Sequence, residues 1–429
     1  MCKKKSLNVW LVKTGEPSPV DDKDCRVMRT GMLANELVLQ GHRVTWWDSC
    51  FNHQTKSFRF NESTRVCLPN GLELQFLLGC GYRNHLSWAR IKDHRQVAVT
   101  FASRALALQK PDIIVAPYPT VELCAASAKY GKAHGIPVLA DVRDLVPDSI
   151  YEYFHPFLRP LVRASLSKYE RSARHALASV DGIIGITQEF LDWGLYKAER
   201  RLSESDAVIH HCYDDKAVSE AQIVQAIEGW RARGITTALS TIICFFGVIS
   251  STQDFLTVIQ GIRNAGSSLS GVTFVFCGCG PDLDQLRRRA HGISNVHFPG
   301  QVDAPSVVAL MRMSRYGIAP YRSTLNYVGN IPNKFVEYMS SGLPVITPLR
   351  GVVRRLITED GIGIAYEEGS PNGFRDAIVA AMGLSEDAYR SMSARVTRVF
   401  DGNFSRGSVM SRYVEHIERV ALQGSRQGS

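Results

Sequence analysis

No apolar run in this 429-residue sequence reaches the roughly 20 residues that a membrane-crossing helix needs. The opening, MCKKKSLNVWLV, sets three lysines before an apolar stretch only as long as a strand. Neither a secretory signal nor a span is legible there, and a cytoplasmic chain is expected. Paired C-x-x-C motifs are missing too. The ten cysteines are scattered, and the closest two, Cys277 and Cys279, flank a single glycine. That spacing removes the usual zinc frameworks, so reduced, mostly buried thiols and no bound metal are expected. No G-x-G-x-x-G follows a strand, which leaves a nicotinamide or flavin site unsupported. Nor is there an internal repeat of solenoid length.

What is present suits two globular domains. Apolar residues make up 45% and charged residues 21%, which leaves little room for extended disorder, and the length allows each domain its own core. Fifty Lys and Arg oppose 41 Asp and Glu, a surplus of +9. Residues 1–210 hold 28 basic and 22 acidic residues, so +6 of that surplus lies in the first half. The bias suits either an anionic partner, such as nucleotide, phosphate or acidic lipid, or a merely solvated basic surface.

Short apolar runs bounded by Gly, Pro or Asp alternate with amphipathic stretches of helical length, the pattern of parallel strand–helix–strand units. The first series of strands is expected at Leu7–Val12, Val44–Trp47, Pro111–Ala116, Pro137–Ala140 and Gly182–Thr187. A helix is expected from about Arg26 to Gln40, with Met28, Met32, Leu33, Leu37 and Leu39 on its apolar face and Gly41 as a left-handed stop. Residues 49–100 are less regular and are expected to form an insertion containing a hairpin. The rhythm restarts after residue 210, with strands at Thr241–Phe246, Val272–Phe276, Asn295–Phe298, Gly317–Ala319, Pro344–Thr347 and Gly363–Tyr366. Asp206–Lys216 is expected to cross between the domains. A last helix, Ser405 to Val420, repeats Val409, Met410, Tyr413, Ile417 and Val420 at helical spacing and is expected to return to the first domain.

Several loops could carry chemistry. Gly15, after the first strand, is either a turn glycine or a place where a ligand approaches the backbone. In Asp141-Val142-Arg143-Asp144, the arginine could hold an anion and a carboxylate could orient a sugar hydroxyl, or the charges could satisfy one another. Phe157–Ala176 interleaves Arg159, Arg163, Lys168, Arg171 and Arg174 with leucines and valine; it reads as a basic amphipathic helix for anionic lipid or as a solvated helix face. Gly278 and Gly280 make a tight turn before a helix starting near Asp282, whose amides could meet an anion. The fullest segment is Gly329–Ile346: a polar loop, a short helix stopped by Gly342, then an apolar strand. There the helix start can meet a diphosphate, Lys334 can neutralise it, and Glu337 can accept ribose hydroxyls.

P-N-K-F-V-E-Y-M-x-x-G-L-P-V-I from Pro332, D-V-R-D-L-V-P from Asp141, L-A-x-x-L-x-x-x-G-H-x-V from Leu33 and F-C-G-x-G-P from Phe276 together resemble the family-4 retaining glycosyltransferases. The likeness is to bacterial members that build lipid-linked surface polysaccharides. It implies a GT-B architecture: two Rossmann-like α/β domains with parallel sheets facing a cleft, residues 1–210 with 405–429 holding the acceptor and residues 211–404 holding the nucleotide-sugar donor. It also implies retention of configuration and no metal or other cofactor. On this resemblance Arg143 and Asp144 line the reaction cleft, and Gly15, Gly247, Gly278, Gln301, Val302, Asn333 and Glu337 serve the donor, Gln301 and Val302 beside the base. Lys334 is assigned to the diphosphate on its own chemistry, and Arg159, Arg163, Lys168 and Arg171 to a membrane or acceptor side. The partners expected are a nucleotide sugar, a glycan or lipid-linked acceptor and an anionic membrane surface on the inner face of the plasma membrane, with no nucleic acid. Two departures stand out. Gly329 occupies the place of the family's first glutamate, and Ile249–Gln253 lacks the family's Arg and Lys, which shifts weight to Lys334, Arg322 and Arg350. The alternatives are a nucleotide-sugar epimerase of the same architecture and a non-catalytic nucleotide-sugar-binding protein.

Overall fold

The computed structural model describes residues 6–21, 27–84, 87–214, 218–238 and 240–427. The chain divides into two compact units, Met1–His210 with Val409–Ser429, and His211–Ser408. In chain order the first contains strands β1 (Asn8–Val12), β2 (Arg43–Ser49), β3 (Phe51–Asn52), β4 (Ser57–Phe58), β5 (Arg65–Cys67), β6 (Glu73–Leu77), β7 (Ile113–Tyr118), β8 (Val138–Val142), β9 (Gly182–Gly185) and β10 (Ala207–Val208). The second contains β11 (Thr241–Phe246), β12 (Val272–Cys277), β13 (Val296–Gly300), β14 (Ser314–Ile318), β15 (Val345–Thr347) and β16 (Gly363–Ala365).

Strands such as β1, β7 and β8 are buried at every position, as parallel strands covered on both faces by helices must be. In the first unit they form a sheet ordered β10-β9-β8-β7-β1-β2-β6-β5, parallel except for β5 against β6. Segment 49–100 is therefore mostly not an insertion. It holds the small β3–β4 hairpin, but β6 continues the sheet beside β2, and helix Trp88–Ala105 follows. Trp10 packs edge-on against Trp47 at 5.0 Å, and Trp47 against Phe101 at 4.9 Å. Such pairs add about 0.5–1.5 kcal/mol each beyond their burial.

The helix after β1 runs Arg29–Leu39, and Gly41 takes the left-handed φ of +87°. The expected start at Arg26 lies outside the described residues, as do Asp215 and Lys216 of the crossing segment. Leu39, assigned to the apolar face, is exposed; Arg29 and Thr30 are buried in its stead. Arg29 has partners that make its burial possible. Its guanidinium bonds the fully buried Asp141 carboxylate at 3.0 Å and the Ile209 carbonyl at 2.9 Å, and it lies 4.8 Å from the Tyr413 ring of the last helix. Burial alone would raise the Asp141 carboxyl, but Arg143 and Arg29 hold it well below the usual carboxylate range. The last helix, Arg406–Gln427, buries Val409, Met410, Tyr413, Ile417 and Val420.

The second unit has a wholly parallel sheet ordered β13-β12-β11-β14-β15-β16. Helix Asn333–Ser340 is pinned across it by Tyr338, whose hydroxyl donates to the carbonyls of Ile318 (3.1 Å) and Cys244 (3.3 Å). Its ring fills the space where a Cβ on Gly317 would stand, 2.6 Å away. In both sheets the chain reverses its direction of travel beside its first strand, between β1 and β7 and between β11 and β14. Loops at the carboxyl ends of such switch points are where open α/β sheets bind ligands.

Candidate functional site

In the second unit the chain turns at Gly247 after β11 (φ +127°) and at Gly278 after β12 (φ +134°). A Cβ on Gly278 would stand 1.8 Å from the Gly247 carbonyl oxygen, and one on Gly280 2.1 Å from that of Ile249. The two loops thus touch backbone to backbone, an approach only glycine permits. Their amides are already used, Gly247 donating to the Cys277 carbonyl (3.0 Å) and Gly278 to that of Gly300 (2.7 Å). What Gly247 leaves is room. A Cβ there would lie 1.9 Å from Nζ of Lys334, which sits above the rings of Phe245 (5.0 Å) and Phe246 (5.8 Å).

Lys334, Glu337 and Tyr338 share one face of their helix, so the tyrosine that pins it also places the other two. Glu337 is only 6% exposed. It lies in the second turn rather than the first and next to Tyr321, whose hydroxyl is pushed up by burial first and then by Tyr327 and Glu337. Gln301 is exposed beside the Gly278 turn, its side-chain oxygen 3.7 Å from the Cys279 sulfur. Val302 packs against the core, and Asn333 opens the helix, exposed. Gly247, Gly278, Gln301 and Lys334 therefore meet at the end of β11 and β12.

Other expected contributors do not join them. The helix after Gly280 spans only Leu283–Arg289, and the amides of Asp282 and Leu283 already bond the carbonyls of Ile249 and Gly280. Arg322 holds Asp254 at 3.1 Å, and Arg350 holds Glu368 at 3.2 Å beside an opening of about 510 Å³. Both side chains remain largely exposed, and Arg322 also donates to the Ser251 carbonyl at 3.2 Å, in the loop that follows Gly247.

Gly15, Arg143 and Asp144 lie in the first unit. There a cavity of about 190 Å³ opens at the β1–β7 switch point, walled by Lys13, Thr14 and Gly15 after β1, His53 and Tyr82, Arg90, Asp93 and His94 of helix Trp88–Ala105, Thr120, and Asp144 after β8. Asp144 reaches this wall, where it accepts the Ser149 hydroxyl at 3.2 Å. Arg143 does not. Its guanidinium is buried against Asp141 (2.7 Å), Glu16 and the Thr30 hydroxyl (3.0 Å), so the reading in which the Asp–Arg charges satisfy one another fits it and the cleft role does not. The positions that sequence reasoning missed are Lys13, Tyr82, Arg90 and His94. Arg90 and His94 are four apart, one turn of helix, in a stretch whose pattern is too weak to place.

The groups on this wall are strongly perturbed. Burial, with Arg143 and Arg90 nearby, lowers Lys13 to about 8, against an upward pull from Glu16 and Asp141. Burial, then Arg90 and Lys13, pushes His94 down to about 3, so its imidazole is neutral at ordinary pH. Among the described residues no group of three or more His, Cys, Asp and Glu is arranged to hold a metal.

The expected basic helix is broken into a turn at Pro156–Leu158 and helices Arg159–Ser165 and Ser167–Ala178. Pro156 and Pro160 explain the irregular start. Tyr153, Phe157 and Leu161 are 76%, 84% and 71% exposed; Arg163, Lys168 and Arg171 are exposed too, and Arg159 is half-buried. No helix among the described residues is long and apolar enough to cross a membrane.

Solved structures resemble the whole chain. HepE from Anabaena in complex with UDP and glucose aligns at TM-score 0.64 and 14% identity, covering 95% of this chain and 98% of that one. Sucrose-phosphate synthase from Thermosynechococcus elongatus aligns at 0.70 and 13% (97% and 100%), and α,α-trehalose 6-phosphate synthase from Burkholderia multivorans at 0.69 and 12% (99% and 98%). The fold is GT-B. Residues 240–383 match the family model described as glycosyl transferases group 1, the stretch that carries Gly247, Gly278, Gln301, Lys334 and Glu337. No curated protein matches the chain in sequence.

Two outcomes follow from this geometry. Gly278→Ala drives a methyl into backbone and should cost several kcal/mol, on the order of 3 or more, in urea unfolding. Gly247→Ala shares the strain of a positive φ, at +127°, but meets only the movable end of Lys334, so it should cost less than Gly278→Ala, about 1–3 kcal/mol; equal losses of stability in both variants would contradict the packing described. For Lys13, the unfolded chain keeps its proton up to the ordinary 10.5 while the folded chain releases it near 8. The cost of burying the ammonium is thus full below pH 8 and relieved between 8 and 10.5. Lys13→Met should raise the melting temperature at pH 7 and lose that advantage by about pH 10.5; a constant difference across this window would show that Lys13 is not buried as a charge.

Proposed function

We propose that the chain is a metal-independent retaining glycosyltransferase. Its second unit grips a nucleoside-diphosphate sugar at Gly247, Gly278 and Lys334, and its first unit receives a glycan or lipid-linked acceptor of surface-polysaccharide or glycolipid assembly. The observation that carries the reading is the Lys334 ammonium standing over Gly247 at a sheet switch point, inside the stretch that matches the glycosyl transferases group 1 model. Retention is supported by the sequence resemblance. UDP is the first nucleotide to test, since HepE is seen with UDP and glucose.

In this reading the glycines let the two loops close on each other and admit the Lys334 ammonium, and Lys334 supplies to the diphosphate the fixed positive charge that a divalent cation supplies elsewhere. Glu337, held behind it, accepts ribose hydroxyls. As the bond from the anomeric carbon to the diphosphate oxygen breaks, the developing negative charge meets Lys334, and the acceptor hydroxyl attacks the same face of the sugar. Its proton leaves with the departing diphosphate. Asp144 and the neutral His94 imidazole are placed on the first unit's wall to orient acceptor hydroxyls.

Lys334→Ala should lower turnover with the matched donor by about a hundredfold, ~3 kcal/mol, while excess EDTA leaves the wild type unchanged. The donor is found first by thermal shift against nucleoside diphosphates and their sugars. Turnover of Lys334→Ala near wild type, or donor consumption that does not depend on any acceptor, contradicts the reading.

The exposed Tyr153, Phe157 and Leu161, with the basic Arg159, Arg163, Lys168 and Arg171 in the same run of chain, support peripheral attachment to an anionic membrane on its cytoplasmic face. Each basic residue near such a surface contributes about 1 kcal/mol. Wild type should sediment with phosphatidylglycerol vesicles at low salt, and Phe157→Asp with Leu161→Asp should not. Equal recovery of both proteins in the supernatant counts against attachment by this face.

A further inference from the structure

The first unit's cavity gathers cations on one wall. Lys13 stands just after β1, and Arg90 comes from helix Trp88–Ala105. At the side, the Lys56 ammonium lies 4.8 Å and the Arg90 guanidinium 5.8 Å from the centre of the Tyr82 ring. These cations act on one another: behind the larger effect of burial, Arg90 lowers Lys56 and adds to the lowering of Lys13. Lys13 forms no ion pair among the described residues.

The two acids on the wall are engaged with their own loops. Asp93, buried, accepts the Gly81 amide at 2.7 Å, and Asp144 accepts the Ser149 hydroxyl. A Cβ added at Gly79 would meet the Asp93 carboxylate at 2.1 Å, so that carboxylate is packed against the loop backbone and turned toward its amides rather than toward Lys13.

The rest of the wall mixes Phe51, Tyr82 and Pro119 with polar groups. The Thr14 and Thr120 hydroxyls lie 3.5 Å apart, and Gly15, at φ +85°, leaves the entrance free of a side chain. A volume of about 190 Å³ equals roughly six waters at about 30 Å³ each, room for a small charged group with its hydrogen-bond partners.

We propose that this cavity holds an anionic substituent of the acceptor sugar, a phosphate monoester or a carboxylate, contacted by Lys13 and Arg90. The inference rests on the acceptor role given to the first unit above. It adds the class of acceptor, a charged sugar rather than a neutral one. Lys13 is half-buried, and the nearby Glu16 and Asp141 carboxylates only partly offset its desolvation and the repulsion from Arg143 and Arg90, so an anionic ligand would add the charge that these cations still favour.

The test is calorimetric titration of the full chain, saturated with the nucleoside diphosphate that gives the largest thermal shift, using glucose, glucose 6-phosphate and glucuronic acid as probes. One of the two charged sugars should bind at least about tenfold tighter than glucose, as a charge-assisted contact implies, and which one does so separates phosphate from carboxylate. Lys13→Met should abolish that preference while leaving glucose and nucleotide affinities unchanged, and its melting curve reports that it is folded. Equal binding of all three sugars by the wild type, a preference that survives in Lys13→Met, or a loss of nucleotide affinity in that variant overturns the proposal. Failure of the wild type to bind any nucleoside diphosphate instead removes the glycosyltransferase reading on which it rests.

Discussion

The backbone contact between Gly247 and Gly278 is the constraint on which the second unit's site depends. Two strand-end loops can lie this close only without side chains, and the same absence of a Cβ leaves the place that the Lys334 ammonium takes. The lysine is held there from behind. Tyr338, one turn further along the helix, bonds two strand carbonyls and fixes the helix across β11 and β14. Packing, backbone hydrogen bonding and charge are thus joined in one small region, and a change in any of them reaches the other two.

The first unit solves a related problem by ion pairing. Asp141 is wholly buried and bears the charges of Arg29 and Arg143, while Glu16 binds Arg143 and the Thr30 hydroxyl. Removing one partner from such a network leaves an uncompensated charge, which typically costs about 3–5 kcal/mol. The network lies directly beneath the cavity-forming loops after β1 and β8. It holds Arg143 away from the cavity and leaves Asp144, the next residue, to face it.

Much of the fold was legible because parallel strands buried on both faces read as uninterrupted apolar runs, as in Asn8–Val12 and Thr241–Phe246, with glycine or proline beside them. The final helix was legible for the same reason, its apolar residues recurring at one face. Residues 49–100 were not, since β5 is short and largely exposed and β6 alternates polar and apolar residues. The site was legible where local pattern and chemistry coincide, at Gly247, Gly278 and Lys334. It was hidden where distant segments meet: Lys13, Arg90 and His94 converge only through the sheet, and nothing local distinguishes Arg143, buried in ion pairs, from Asp144, facing the cavity. Leu158 and Leu161 look like a core-facing stripe in sequence, yet both are exposed.

A crystal structure of the chain with the nucleoside diphosphate proposed as its ligand is the most direct test of the Lys334 site. The diphosphate is predicted to lie at the ends of β11 and β12, with one of its oxygens within hydrogen-bonding distance of Lys334 Nζ. A nucleotide bound elsewhere in the second unit, with Lys334 still resting over Gly247, would contradict it.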